Sequence, residues 1–151
     1  MQTVFRTTRK SRELLLPFLE NYTMAQLNKI PEGFNNNMFW NIAHIIVTQQ
    51  RIVYSLSGLP MHITESMANT YKIGTRPERD VTEAEAASLK SLLFTTIAKT
   101  EEDYKNGIFK TYREYTTEFG YTLTSAEDAI QFNNYHEGIH FGTILALRKL
   151  V

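Results

Sequence analysis

The sequence has no cysteine, which excludes a disulfide framework and a thiolate metal site. Any metal ion must therefore be held by nitrogen and oxygen atoms. An excess of charge is also missing, because 16 basic residues balance 16 acidic ones and no run of like charge stands out. A nucleic-acid binder normally needs a positive field, so nucleic acid is not an expected partner.

Long apolar runs are missing as well. No stretch approaches the roughly 20 apolar residues that cross a bilayer. The apolar run near the N-terminus is interrupted by Pro17 and Glu20, and no small-residue cleavage site follows it, so we expect no signal peptide. These absences predict a soluble, cytoplasmic protein without a membrane partner. A length of 151 residues, 42% of them hydrophobic, suits a single domain over residues 1–151.

Two stretches with helical spacing of apolar residues lie in the N-terminal half. The first extends from about residue 3 to 22 and contains Pro17, which predicts a kink or a later helix start. The second extends from residue 38 to 56, follows three asparagines that can cap it, and contains no glycine or proline. Between them, Thr23 and Gln26 have the spacing of a capping box, which predicts one short helical turn.

Two further helices are predicted in the C-terminal half. One begins at a capping box of Thr82 and Glu85 and ends near Gly107. The other follows Thr124, whose expected box partner is Glu127, and continues to the end of the chain.

Long connections separate the second helix from the third and the third from the fourth. Residues 57–81 contain two glycines and two prolines and are predicted to form no element of their own. Residues 108–123 alternate aromatic, threonine and charged side chains, which is typical of an extended strap or a small hairpin. Four long helices with two long connections predict an all-α fold, a four-helix bundle.

The last helix contains HEGIH, residues 136–140. Its two histidines are four residues apart, so both face one side of the helix, about 5 to 6 Å apart at Cβ and close enough to chelate one ion. The motif matches the H-E-x-x-H of zinc peptidases, but no His, Asp or Glu follows His140 to act as the third ligand. A di-iron site would need a second Glu-x-x-His motif, and Asn41 stands where that glutamate should precede His44.

A third histidine is available on another predicted helix. His44 lies in the middle of the second helix, which a bundle brings beside the fourth. Three imidazoles would leave positions open for water or substrate, the arrangement of a catalytic metal ion. An isolated His44 beside Trp40 is also typical of a core histidine, and the pair His136 and His140 alone is equally compatible with coincidence. We interpret His62 as an exposed loop residue.

The residues WNIAH at 40–44 and HEGIHFG at 136–142 resemble the DinB superfamily of bacterial metal-binding four-helix bundles, and the likeness covers nearly the whole chain. The resemblance implies that the metal ligands are His44, His136 and His140. It also implies that the divalent ion is zinc or nickel, either of which imidazoles bind.

Relatives in that family include S-transferases that use bacillithiol, mycothiol or glutathione, maleylpyruvate isomerases, and members without an assigned reaction. The resemblance therefore implies a metal site more firmly than a substrate. Our hypothesis is a metal-dependent enzyme in which the ion lowers the pKa of a bound thiol or water. A small thiol attacking an electrophile is the reaction we expect among these. Metal-dependent hydrolysis and a non-enzymatic bundle with a structural metal are the alternatives. The resemblance and the apolar content of the first and third helices also favour a homodimer.

Polar residues one or two turns from the three histidines are candidates to surround them. They are Thr48, Arg51, Asn133 and Thr143. Each of them also suits ordinary helix packing, and the family often has Gln in place of Thr143. The candidates for a catalytic role are Arg51, which suits a substrate carboxylate, and Glu137. Because Glu137 lies about 100° round the helix from His136, a surface or interhelical salt bridge is favoured over a general base.

Overall fold

Four long α-helices dominate the computed structural model, which describes residues 1–151. They are α1 (Gln2–Asn21), α3 (Met38–Val53), α5 (Glu83–Lys105) and α6 (Ala126–Leu147), and two short helices, α2 (Met24–Asn28) and α4 (Glu65–Thr70), lie in the connections. The predicted all-α helical bundle is confirmed. None of the helices combines the length and the apolar character that crossing a bilayer requires.

Helix α3 is the central helix of the bundle. Of its 16 residues, 14 are buried, because it packs against both α5 and α6 and the loops cover its remaining side. The helix begins after Asn37, whose side chain accepts a hydrogen bond from the backbone N–H of Trp40. It ends at Val53, three residues earlier than predicted, because Ser55–Ser57 form a 3₁₀ turn and Gly58 adopts a left-handed conformation with φ of 71°.

The core consists of two apolar clusters at different heights in the bundle. One contains Leu15 of α1 and Ile144 of α6, and the other contains Phe5 of α1 and Ile130 of α6. Along α1 and α6, buried polar residues lie between these clusters. Polar groups at mid-height require partners, because an unpaired buried polar group is costly.

The N-terminal helix passes through Pro17 and extends from Gln2 to Asn21, so the alternative of a later start is wrong. The side chain of Pro17 is exposed. The capping box of Thr23 and Gln26 is present and starts the short helix α2, as predicted.

The first long connection contains an element that the sequence did not indicate. Helix α4 begins after Thr64, whose side chain accepts a hydrogen bond from the backbone N–H of Met67. The prediction that residues 57–81 form no element is therefore wrong, since six residues are too few to show an apolar period. The second connection contains a hairpin, in which β1 (Tyr115–Thr116) pairs antiparallel with β2 (Thr122–Leu123). The predicted extended structure in this connection is therefore confirmed.

The start of α6 differs from the prediction by one residue. Ser125, not Thr124, caps the helix, and its side chain accepts from the backbone N–H of Asp128. Thr124 instead donates both its backbone N–H and its hydroxyl to Asp128. The predicted capping box with Glu127 is therefore wrong, because Glu127 accepts a hydrogen bond from the Tyr104 hydroxyl. Helix α6 ends at Leu147, before the end of the chain.

Candidate metal centre

Three of the four histidines meet where α3 faces α6. Each offers one ring nitrogen, and these nitrogens lie within 4.8 Å of one another. The ring centroids are 5.1 Å apart for His44 and His136, 4.6 Å for His44 and His140, and 4.5 Å for His136 and His140. The structure thus brings together the three histidines that the sequence pattern selected, in a cluster that could hold a metal ion.

A backbone hydrogen bond determines which nitrogen of His44 is free. Its Nδ1 lies 2.7 Å from the carbonyl oxygen of Tyr71, which can only accept, so Nδ1 carries the proton. The lone pair is therefore on Nε2, to which the Thr48 hydroxyl can donate over 3.2 Å. Neutral metal-binding histidines commonly have this arrangement, with the second ring N–H bound to a carbonyl.

Asn41 fixes His140 in the same way. Its Oδ1 lies 2.8 Å from Nδ1 of His140. The orientation of the Asn41 amide is determined, because its Nδ2 donates to Oδ1 of Asn36 and to the carbonyl oxygen of Asn37, both at 2.8 Å. Nδ1 of His140 is therefore the donor and Nε2 carries the lone pair. Asn41, whose position three residues before His44 spoke against a di-iron site, thus orients His140.

His136 has no such anchor. Its Nδ1 is buried without a hydrogen-bond partner, as are Oδ1 of Asn133 and Oε2 of Glu137 on the same helix. A buried imidazole nitrogen without a partner is unfavourable. Three imidazole nitrogens that lie within 4.8 Å of one another are a donor set that fits a divalent ion.

Glu137 is fully buried and belongs to an interhelical ion pair. Its Oε1 accepts from Nε of Arg12 at 2.9 Å and from Nη2 of Arg12 at 2.8 Å. It also accepts from Nδ2 of Asn133 at 2.8 Å. The favoured interhelical salt bridge is confirmed, and Glu137 does not line the cavity described below. Its candidacy as a catalytic group therefore gains no support from the geometry.

Burial keeps the three imidazoles neutral. Loss of hydration lowers the pKa of His136 to about 2, and the neighbouring His140, His44 and Arg12 add to this effect. Loss of hydration, and then His44, lowers the pKa of His140 to about 3. The pKa of His44 is also lowered by burial, against the opposing effect of its hydrogen bond to Tyr71. Neutral imidazoles present lone pairs, the form that binds metal ions.

A cavity of about 400 Å³ opens onto the three histidines. Trp40 forms part of its wall and stacks on the His44 ring, with centroids 4.6 Å apart and planes inclined by 11°. Of the residues predicted to surround the histidines, Thr48 and Arg51 line this cavity. Asn133 binds Glu137 instead.

Thr143, the fourth predicted neighbour, does not line the cavity. Its hydroxyl donates to the backbone carbonyl of Ile139 within the helix. Thr143 therefore has the ordinary role in helix packing that the sequence also allowed.

The hairpin connection supplies wall residues that the sequence did not identify, among them Arg113, Tyr115 and Phe119. Its richness in aromatic side chains was the available signal. His62 lies outside the cluster, with Nε2 3.4 Å from Asp103 and a side chain that is 36% exposed.

A search of curated proteins finds no match to this chain. A family model described as the DinB superfamily matches residues 7–144. The matched segment covers most of the chain and includes the three clustered histidines. The chain therefore belongs to the DinB superfamily.

Proposed function

We propose that the protein binds one divalent cation through His44, His136 and His140 and uses it to activate a small thiol for attack on an electrophile. The observation that carries this proposal is the convergence of three neutral imidazoles beneath a cavity of about 400 Å³. Zinc and nickel are the ions we favour, because both accept imidazole ligands.

The number of protein ligands favours catalysis over a structural role. Structural zinc sites usually have four protein ligands, whereas catalytic sites have three and an open position. The cluster consists of the three histidines alone, without a carboxylate or thiolate. A small molecule that enters the cavity would therefore reach the ion directly.

A bound divalent cation would supply the positive charge that lowers the pKa of a thiol, so that thiolate is available near neutral pH. In the transfer, the sulfur forms a bond to the electrophilic carbon, the leaving group departs with its bonding electrons, and the thiol proton passes to solvent. The chain's own residues orient and shield the reactants. Trp40 and Phe132 form apolar walls, and the Thr48 hydroxyl is placed to donate a hydrogen bond beside His44.

The test is adduct formation between a thiol and monochlorobimane, followed by fluorescence. We expect the zinc- or nickel-loaded protein to accelerate the reaction, and we expect a chelator or the substitution His140→Ala to abolish the acceleration. His62→Ala is the matched control, because His62 lies outside the cluster, and it should retain the rate. No acceleration with any thiol would refute the proposal, and ester hydrolysis without a thiol would support the hydrolase alternative.

A further inference from the structure

Two arginines that line the cavity have no carboxylate partner. The ion-paired arginines of this protein are Arg9, Arg12 and Arg79. Arg51 of α3 and Arg113 of the hairpin connection both line the cavity, and both are exposed to it or to solvent.

Three hydrogen bonds hold the connection that carries Arg113 against the C-terminal end of α3 and the 3₁₀ turn that follows it. The backbone N–H of Arg113 donates to the Leu56 carbonyl at 2.7 Å. The Tyr112 hydroxyl donates to the Ile52 carbonyl at 2.9 Å, and the Thr111 hydroxyl donates to the Ser57 carbonyl at 3.1 Å. These bonds hold the backbone at Arg113 beside the end of α3 that carries Arg51, so two separate elements each contribute an arginine to the cavity wall.

The charge of the cavity favours an anion. Glu118 is the single acidic residue in the wall, against Arg51 and Arg113. A divalent cation would raise the positive charge further. Guanidinium groups bind carboxylates with two parallel hydrogen bonds, and such contacts are stronger where apolar walls lower the local dielectric constant.

The position of Arg51 on α3 sets the distance of the anion from the histidines. Arg51 follows His44 by seven residues, which is nearly two full turns, so both side chains leave the same face of the helix. Seven residues at 1.5 Å each place their Cα atoms roughly 10 Å apart along the axis. Thr48 lies between them on that face and also lines the cavity.

We propose that Arg51 and Arg113 form an anion-binding subsite, and that a substrate of this protein carries a carboxylate roughly two helical turns from the group that binds at the histidines. The sulfur chemistry of that group rests on the function proposed above, whereas the anion subsite does not. The carboxylate belongs either to the thiol or to the electrophile, and the two arms of the experiment separate these sources.

In the first arm, the protein is loaded with Co²⁺, and thiol binding is followed by sulfur-to-cobalt charge-transfer absorption. The ligands are 6-mercaptohexanoate and the neutral 6-mercaptohexanol, which have the same chain length. We expect the acid to bind about tenfold more tightly, the effect of one partly solvated charged hydrogen-bond pair. Arg51→Gln and Arg113→Gln should each remove most of this difference and leave the alcohol unaffected. Arg148→Gln is the control, because Arg148 is exposed and does not line the cavity.

In the second arm, the electrophile carries the charge. The value of KM is compared for 4-(bromomethyl)benzoate and its methyl ester, with 2-mercaptoethanol as the thiol. A preference for the acid that both arginine variants abolish assigns the carboxylate to the electrophile, and the same result in the first arm assigns it to the thiol. Equal behaviour of acid and neutral partner in both arms overturns the proposal.

Failure of the thiol chemistry gives a different result from failure of the subsite. If cobalt binds but no thiol produces the absorption, the proposed function fails. The subsite is then tested without sulfur, by calorimetric titration of the protein with octanoate. Binding that Arg51→Gln and Arg113→Gln weaken, and Arg148→Gln does not, supports the subsite, whereas absent binding or equal binding by all variants overturns it.

Discussion

Glu137 and Arg12 form the one ion pair of this protein in which neither side chain is exposed to solvent, and removing either member should destabilise the bundle strongly. The substitution Glu137→Leu would leave the Arg12 guanidinium buried with only a 3.4 Å hydrogen bond to the Leu93 carbonyl. Breaking a buried pair by removal of one partner costs about 3–5 kcal/mol. For a chain of this length, a loss of that size lowers Tm by about 6–20 °C.

The loss of stability in Glu137→Leu should come mainly from the unpaired charge of Arg12, and less from the lost contact. In the double variant Arg12→Leu/Glu137→Leu no charge remains buried, so most of the stability should return, because apolar residues often replace a buried ion pair at little cost. We expect the double variant to be more stable than Glu137→Leu by about 2 kcal/mol or more.

The assay is urea denaturation of the metal-free protein, so that metal affinity does not contribute to the free energy of unfolding. The matched control is Glu101→Leu, which removes the ion pairs of Glu101 with Arg9 of α1 and with Lys105 of α5, whose side chains are 40% and 69% exposed. Each of these partly exposed pairs should contribute about 1 kcal/mol or less. If Glu137→Leu loses no more stability than Glu101→Leu, the buried pair is not special. If the double variant loses as much as the Arg12→Leu and Glu137→Leu losses added together, the buried charge is not the cause.

Three further predictions concern the histidine cluster. Imidazoles of the unfolded chain have a pKa near 6.5, whereas burial lowers the pKa of His136 to about 2 and that of His140 to about 3. Below pH 6.5 the unfolded state therefore binds more protons than the folded state. The free energy of unfolding of metal-free protein should therefore fall from pH 7 to pH 4, by up to about 1.4 kcal/mol per pH unit for each histidine; a flat profile in urea titrations would contradict this. Asn41→Leu removes the acceptor that orients His140 and should weaken zinc affinity about 10- to 100-fold in competition with a chelating dye, whereas unchanged affinity would show that the hydrogen bond does not matter. Thr48→Val removes the hydroxyl beside Nε2 of His44 and should lower kcat for thiol transfer more than metal affinity; equal loss in both would indicate a role in metal binding alone.

The sequence was sufficient to predict the long helices and the common face of the two histidines on α6. The unbroken apolar stretch around Ile42 predicts α3, and the four-residue spacing of His136 and His140 predicts that both face one side of their helix. That His44 would join them required the further step that a bundle places α3 against α6. These features follow from local periodicity and from the small number of ways in which four helices pack.

The surroundings of the histidines could not be predicted in the same way. The acceptor for His44 is the backbone carbonyl of Tyr71, and a backbone carbonyl leaves no mark in the sequence. Arg12 resembles any polar residue of an amphipathic helix until its partner Glu137, 125 positions away, is known. Arg113 joins the cavity only because hydrogen bonds tie the hairpin connection to α3. Contacts between distant segments are set by tertiary packing, which the periodicity of single segments does not encode.

The most direct test of the metal centre is the zinc or nickel content of purified protein, measured for the wild type and for alanine variants of all four histidines. We expect about one ion per chain in the wild type and in His62→Ala, because His62 lies outside the cluster. We expect a large loss of metal in His44→Ala, His136→Ala and His140→Ala, each verified as folded by circular dichroism. Equal metal content in the wild type and in folded His44→Ala would contradict the three-histidine site.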